Sequence, residues 1–525
     1  MERDDRMMQV EVCSRDLGTD VTAEFTLPDY RPEIKRLLRV KAVPLPVDKY
    51  VGGNAVELSG AVEFQALYAA ADGTLWCVTQ REDYRASCPL DGDSDPLPAG
   101  GLTCEVRTVA ENVSGRVPAP RKLTARCRLR TKVRLLADRS LDEATPTEDL
   151  GTVERLSATV PAARVFIGES APFSLTDEIL SDGREGPVRV ICAEGAVFPG
   201  EVQAGSGVVN CRGEVCLSLL CVAEREDPPT SEGADDCVPA SAPVPYTVLR
   251  RVPFAVEVPV EGAEVDCEAC AWGTCTEIAV TVEEGRIFCD LTCVVSAKAV
   301  RREEVPYTRD LYSTTRESEP VFRTLPTARP LACRNANLTV SAAPALSEVG
   351  ARPDQQVVDA DVQVIDLTPE PSKNAAVLTG TARFRVLLRA PDGEYSVADL
   401  ETPFRYEAPA DGTDLPVQSE TVVLPVLVRV RTDGDRLLAE AELSVALALR
   451  SSGEVSALSE VRVGAPVPTQ GAACVICYPA PGDTLWSVAK RYHAPLADLL
   501  AKNRLDGLPA ADAPTSLSGV KYLLV

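Results

Sequence analysis

The chain has 525 residues, enough for three or four domains rather than one core. Its 54 Lys and Arg face 78 Asp and Glu, and the formal net charge of −24 works against binding a phosphate backbone. A hydrophobic content of 45% supplies real cores, while one histidine, His493, leaves little room for catalytic triads, histidine proton relays or multi-histidine metal sites.

The N-terminal run MERDDRMMQVEVC is charged and leads into no apolar segment, so it does not read as a signal peptide. No stretch of about 18 apolar residues occurs, and no membrane span is expected. These features predict a cytoplasmic chain, whose 18 cysteines are thiols or metal ligands rather than disulfides. Pro32 stands at a helix-start position, with Ile34, Leu37 and Leu38 at i, i+3, i+4 spacing. That pattern predicts a short helix ahead of the first sheet. From Val56, VELSGAVEFQALYAAADG alternates with period two, a half-buried strand running into an Asp72-Gly73 hairpin turn.

The same frame returns at VNCRGEVCLSLLCVAERE from Val209 and at AVLTGTARFRVLLRAPDG from Ala376, anchored on Gly60, Gly213 and Gly380. A second signature follows each copy: Tyr84, Pro89 and Gly92, then Phe254, Pro259 and Gly262, then Phe404, Pro409 and Gly412. A further turn is expected at Gly115-Arg116, Gly285-Arg286 and Gly434. The pattern predicts a mainly β chain with three tandem antiparallel β-sandwich-like repeats, over 1–145, 155–315 and 320–466. Each repeat is expected to fold independently. LDEATPTEDLGTVE from Leu141 reads as an acidic linker, and DPPTSEGADDCVPASAP from Asp227 as an exposed loop of the second repeat.

Within this frame Cys211 takes the slot of Leu58 and Leu378, and Cys221 that of Tyr68 and Leu388, so both read as buried thiols in core positions. CEACAWGTC from Cys267, with Cys289 and Cys293, leaves structural zinc as the competing reading, but no second well-spaced pair lies nearby. Cys474-Cys477 falls on a strand, where a redox pair opening a helix is not expected. No metal or cofactor is expected.

After Pro466 the pattern changes. A strand near Val475 gives way to an amphipathic helix through Leu485, Val488, Ala489 and Tyr492, with Asp483 at the expected N-cap and Gly482 in the turn before it. A second helix opens at Pro495, buries Leu496, Leu499 and Leu500, and ends at Asn503; KYLLV closes the chain as a strand. The order is β-α-α-β. PGDTLWSVAKRY, LADLLAKN and the final strand resemble a LysM domain, over 474–525. The resemblance implies binding of N-acetylglucosamine-containing glycans such as peptidoglycan, in a groove formed by Gly482, Asp483, Thr484, Leu485 and Trp486 facing Asn503, Arg504 and Leu505. Asp483 as a mere helix cap, Trp486 as a mere helix residue and His493 as a mere loop residue are the alternative readings.

Three β repeats followed by one LysM module are similar to the SPOCS-domain spore coat morphogenetic proteins, and LPDYRPEIKRLLRVKA from Leu27 resembles the motif that opens SPOCS repeats. That resemblance implies a non-catalytic scaffold of spore coat assembly, placed in the mother-cell cytoplasm at the forespore surface. Its LysM module would dock the coat's basement-layer ATPase, another coat protein or a glycan. The alternative is a peptidoglycan-binding cell-wall protein with the repeats as spacers. An enzyme is the weakest reading, because no Gly-x-Ser-x-Gly, P-loop, HExxH or GxGxxG pattern stands at a suitable strand–helix junction.

Overall fold

The computed structural model describes residues 6–90, 101–143, 150–180, 188–223, 244–371, 375–409, 417–468, 475–505, 512–513, 517 and 519–525. The first repeat holds β1 (Met7–Thr26), β2 (Ile34–Pro44), β3 (Asp48–Val51), β4 (Ala55–Ala70), β5 (Leu75–Pro89), β6 (Leu102–Ala119) and β7 (Lys122–Ser140). The second holds β8 (Val153–Glu169), β9 (Phe173–Leu180), β10 (Val188–Ala204), β11 (Val208–Ala223), β12 (Pro245–Pro259), β13 (Glu268–Glu283) and β14 (Arg286–Ser313). The third holds β15 (Arg316–Ala342), β16 (Gln356–Pro371), β17 (Ala375–Arg389), β18 (Tyr395–Pro409), β19 (Val417–Ser419), β20 (Val422–Asp433) and β21 (Arg436–Pro466).

One connectivity serves all three. The middle strands form antiparallel meanders, β2-β4-β5, β10-β11-β12 and β16-β17-β18. The last strand of each repeat pairs with both its first and its penultimate strand, giving β1-β7-β6, β8-β14-β13 and β15-β21-β20. The two sheets of a repeat face each other across an apolar core; in the second repeat Val215, Leu217 and Leu219 of β11 meet Cys289, Leu291 and Cys293 of β14. Cys211 and Cys221 lie in that core, and burial pushes both thiols up to about 12.

The two sequence signatures prove to be halves of one contact. Gly60 lies opposite Tyr84, Gly213 opposite Phe254, and Gly380 opposite Phe404 in neighbouring strands. A Cβ on Gly60 would stand 2.9 Å from the Tyr84 ring, and one on Gly380 2.7 Å from the Phe404 ring. The aromatic side chain folds over the glycine, which explains why both recur together. Gly92 and Gly412 lie outside the described residues, as do 144–149 and the predicted 227–243 loop.

Three expectations are corrected. The predicted helix at Pro32–Leu38 is the start of β2, whose pairing with β4 is broken by bulges between Ile34 and Arg36 and between Leu37 and Arg39. Each bulge inserts one residue into the alternation, so a period of two acquires helix-like spacing. Gly285 and Gly434 do occupy hairpin turns, with φ of 74° and 59°. Gly115, however, lies inside β6, and the β6–β7 turn falls at Pro120-Arg121. Gly115 is small because β2 crosses it: a Cβ there would stand 2.6 Å from Val40 and 2.8 Å from Leu37. Finally, the described ends of the acidic stretch after Leu141 are pinned. Asp142 accepts from Arg6 and from the Thr308 hydroxyl, and the carbonyl of buried Leu150 accepts from Ser313 Oγ.

Equivalent positions of the three repeats meet in one apolar cluster. Leu67, Leu220 and Leu387 occupy the same register position of β4, β11 and β17, and they share one apolar cluster with the bulge residues Leu38, Ile191 and Val358. Beside them lie the next residues of the same strands, Arg39, Cys192 and Asp359. Arg39 bridges Asp359 and Glu194, each at 2.7 Å, and Lys41 reaches Glu194 at 2.5 Å and Asp361 at 3.2 Å. Burial alone would push the Glu194 carboxyl up, but Arg39 and Lys41 outweigh it and hold the group at about 2. Burial raises Asp359 despite the same arginine.

A second ionic layer also joins the repeats. Arg134 bridges Glu11 at 2.6 Å and Glu420 at 2.8 Å, Lys298 holds Glu420 at 2.9 Å and also contacts Glu105, and Arg450 reaches Glu11 at 2.5 Å. Every repeat supplies a cation, and the layer balances three against three. A repeat removed from this assembly would strip partners from buried charges in the other two, a cost of several kcal/mol per orphaned ion.

Candidate functional site

The C-terminal module consists of β22 (Ile476–Cys477), α1 (Leu485–Arg491), α2 (Leu496–Asn503) and β23 (Leu523–Leu524), with β22 antiparallel to β23. Leu485, Val488, Ala489, Leu499 and Leu523 form its core, as the helical spacing predicts. The cap of α1 lies one residue later than expected. Thr484 Oγ1 accepts from the Ser487 N–H at 3.1 Å, and the Thr484 N–H donates to Ser487 Oγ at 2.9 Å. Asp483 instead accepts from Arg491 at 2.6 Å and from the Ala480 N–H at 2.9 Å, bonds that hold its carboxyl below the ordinary value. Gly482, at φ 93°, makes the turn between strand and helix.

Asn503 ends α2 and ties it to the last strand. Its side chain donates to the carbonyls of Leu499 and Leu524, each at 2.8 Å, and accepts from the Leu524 N–H at 2.7 Å. Arg504 follows in the left-handed region at φ 54° with its side chain exposed.

The module is docked on the β body. Trp486 packs edge-on against Tyr312 of β14, with ring centroids 5.0 Å apart, and donates Nε1–H to Asp310 Oδ2 at 2.8 Å. Lys490 takes the other oxygen of Asp310 at 2.5 Å, and the Tyr312 hydroxyl donates to the Ala494 carbonyl at 2.7 Å. His493 sits at φ 51°, with Nδ1 2.8 Å from the Ser313 carbonyl and Nε2 3.3 Å from Glu317.

This geometry sorts the predicted groove residues. Trp486 is only 5% exposed and its indole N–H is committed to Asp310, which places it in the docking contact with the body. Leu485 is buried in the module core, Leu505 is half-buried against it, and Asp483, Thr484 and Asn503 are engaged in holding the two loops in shape. Gly482 and Arg504 are open to solvent. Residues 482–484 and 504–505 thus form two braced loops in which the N–H groups of Asp483, Thr484, Arg504 and Leu505 are already bonded within the module, so a ligand would meet the Gly482 backbone, the remaining loop carbonyls and the Arg504 side chain. Sequence reasoning missed Asp310, Tyr312 and Ser313. The one available signal was Trp486 itself, a large apolar residue beside the Leu485–Val488–Ala489 stripe, which widens the buried face of α1 beyond what its own module fills.

A separate concave feature is a cavity of about 140 Å³ beside the second ionic layer, lined among others by Gln9, Glu11, Arg134, Lys298, Glu420 and Arg450. Its charged groups are spent on one another across the repeat junction. Cys270 lies in that region with its Sγ 3.5 Å from Cys333 of the next repeat, and Cys267 is buried at the start of β13. Among the described residues no group of three or more His, Cys, Asp or Glu is arranged to hold a metal. Cys474 is outside them; Cys477 is buried in the LysM-like core.

Residues 480–508 match the LysM domain family, so the chain carries a module of the glycan-binding LysM type. No curated protein and no solved structure matches the chain. No helix among the described residues is long and apolar enough to cross a membrane.

Proposed function

We propose that this chain is a non-catalytic scaffold of a spore envelope whose LysM domain grips an N-acetylglucosamine-containing glycan while the three-repeat body holds that grip in a fixed orientation. The LysM match at 480–508 carries the reading, together with two groove loops braced by Arg491–Asp483 and by Asn503. A net charge of −24 favours an uncharged polymer over a polyanion. The envelope setting rests on the order of three β repeats and one LysM, and on the LPDYRPEIKRLLRVKA run. The chain would act from the mother-cell cytoplasm at the forespore surface, with the basement-layer ATPase or another coat protein as a further partner of the body.

Co-sedimentation of the full chain with insoluble peptidoglycan or chitin tests this. The chain should pellet and be released by soluble β-1,4-linked N-acetylglucosamine oligosaccharide. A chain that stays in the supernatant yet binds the purified ATPase would move LysM from glycan to protein recognition, and release of soluble sugar fragments would make it an enzyme.

A further inference from the structure

The sheet of the LysM domain has an outer face that its own fold does not cover. Cys477 and Leu523 point inward and are buried, so their neighbours Ile476, Tyr478 and Tyr522 point away from the helices. These three are 54%, 73% and 55% exposed. The β body docks on α1 and the loop after it, through Asp310, Tyr312 and Ser313, and leaves this face open. Cys477 pairs with Leu523, so Tyr478 and Tyr522 stand at the next position of the two strands, side by side at one end of the sheet.

That end opens into one of the two loops of the candidate groove. The chain leaves β22 through Tyr478 into the 479–484 loop, and it returns from the loop after Arg504 through Tyr522 into β23. Tyr478 therefore leads directly into the loop that carries one side of the candidate groove, and the other side is tied through Asn503 to Leu524, two residues from Tyr522. An isolated exposed tyrosine needs no explanation; a pair at adjoining positions just beyond two paired strands, backed by Ile476 and next to a loop of the candidate groove, forms an uncharged aromatic platform. The apolar C–H face of a pyranose packs on such a surface, and the neutral β-linked N-acetylhexosamine chain is the polymer least repelled by a body of charge −24.

We infer that Tyr478 and Tyr522 form a second sugar subsite, which holds further units of an uncharged β-linked N-acetylhexosamine chain as it runs out of the LysM groove. The inference rests on the glycan reading of that groove. It is tested by titrating the full chain with a trisaccharide and a hexasaccharide of β-1,4-linked N-acetylglucosamine. The wild type should bind the hexasaccharide more tightly. Tyr478→Ala and Tyr522→Ala should each erase most of that advantage, a loss of about tenfold, and leave trisaccharide affinity unchanged. Tyr478→Phe should retain it, since the ring face and not the hydroxyl is used. Equal affinity of the wild type for both sugars, or an equal loss for both in the alanine variants, would overturn the subsite while leaving the groove intact. Failure of either sugar to bind the wild type would bring down the groove reading as well. A change in the sedimentation of the sugar-free chain on Tyr478→Ala would make the face a contact between copies and overturn the subsite.

Discussion

The β body and the LysM module are both built to stay put, but they are held by different physics. The body joins its repeats with buried charge: Arg39 and Lys298 each bridge carboxylates from the two other repeats, and Arg134 joins Glu11 of its own repeat to Glu420 of the third. The module joins the body by one aromatic contact, hydrogen bonds centred on Asp310 and Tyr312, and part-exposed ion pairs such as Lys490–Asp310 and Arg309–Asp512. A buried ion is costly to orphan, so the body should come apart only as a unit. A half-buried hydrogen-bonded patch is cheaper to break, so the module should come loose first. The contrast suits a rigid platform carrying a smaller gripping head.

The largest expected effect strikes the body. Arg39→Met removes the common partner of half-buried Glu194, which keeps Lys41, and of buried Asp359, and should cost about 3–5 kcal/mol in a urea titration. It should weaken all three repeats together in a single transition; loss confined to the first repeat would show that they are independent units. Next comes Gly380→Ala, whose new methyl would meet the Phe404 ring at 2.7 Å and should destabilise by roughly 1–3 kcal/mol. The same change at Gly53, which has open space around it, should cost far less, and equal costs would show that the glycine–aromatic contact is not what fixes the anchor.

Asp310→Ala strikes the seam between the two regions. Trp486 and Lys490 both lose their acceptor, and the module should melt earlier, by about 1–3 kcal/mol, while the body transition stays in place. Tryptophan fluorescence against far-ultraviolet circular dichroism would separate the two. Thr484→Ala, within the module, should cost about 1 kcal/mol through loss of the cap, whereas Asp483→Ala removes the exposed Arg491 pair and the acceptor of the Ala480 N–H in the loop and leaves the cap itself in place, so it should cost less.

Acid should expose the same contrast. Glu194 is lowered from about 4.5 to about 2, so it stabilises the body above about pH 4.5 and that contribution fades as pH falls towards 2. Glu420, lowered further by Lys298, Arg134 and Arg450 against its burial, acts in the same direction. Asp359, raised by burial, opposes them in part. Urea midpoints should therefore fall between about pH 4.5 and 2, and a flat profile would show that the buried carboxylates add nothing on balance.

The strands, the three-fold repetition and the β-α-α-β order were legible because each rests on local periodicity. What escaped was written in positions that break periodicity or act at long range. Bulges beside Ile34 and Leu37 disguised a strand as a helix, and Gly115 marked a close crossing by β2 rather than a turn. The ionic layers were invisible because the repeats carry different residues at equivalent places, Arg39, Cys192 and Asp359 among them, so a pattern search sees divergence where the structure has complementarity. In the module, PGDTLW located the loops, but the helix spacing could not reveal that Trp486 has a second neighbour in β14.

Hydrogen exchange on the full chain, with and without a soluble N-acetylglucosamine oligosaccharide, is the most direct measurement. Glycan binding by a docked head predicts new protection at 480–485 and 503–505 with none in the β body. Protection at the cavity beside Arg134 and Lys298, or none anywhere at saturating sugar, would contradict it.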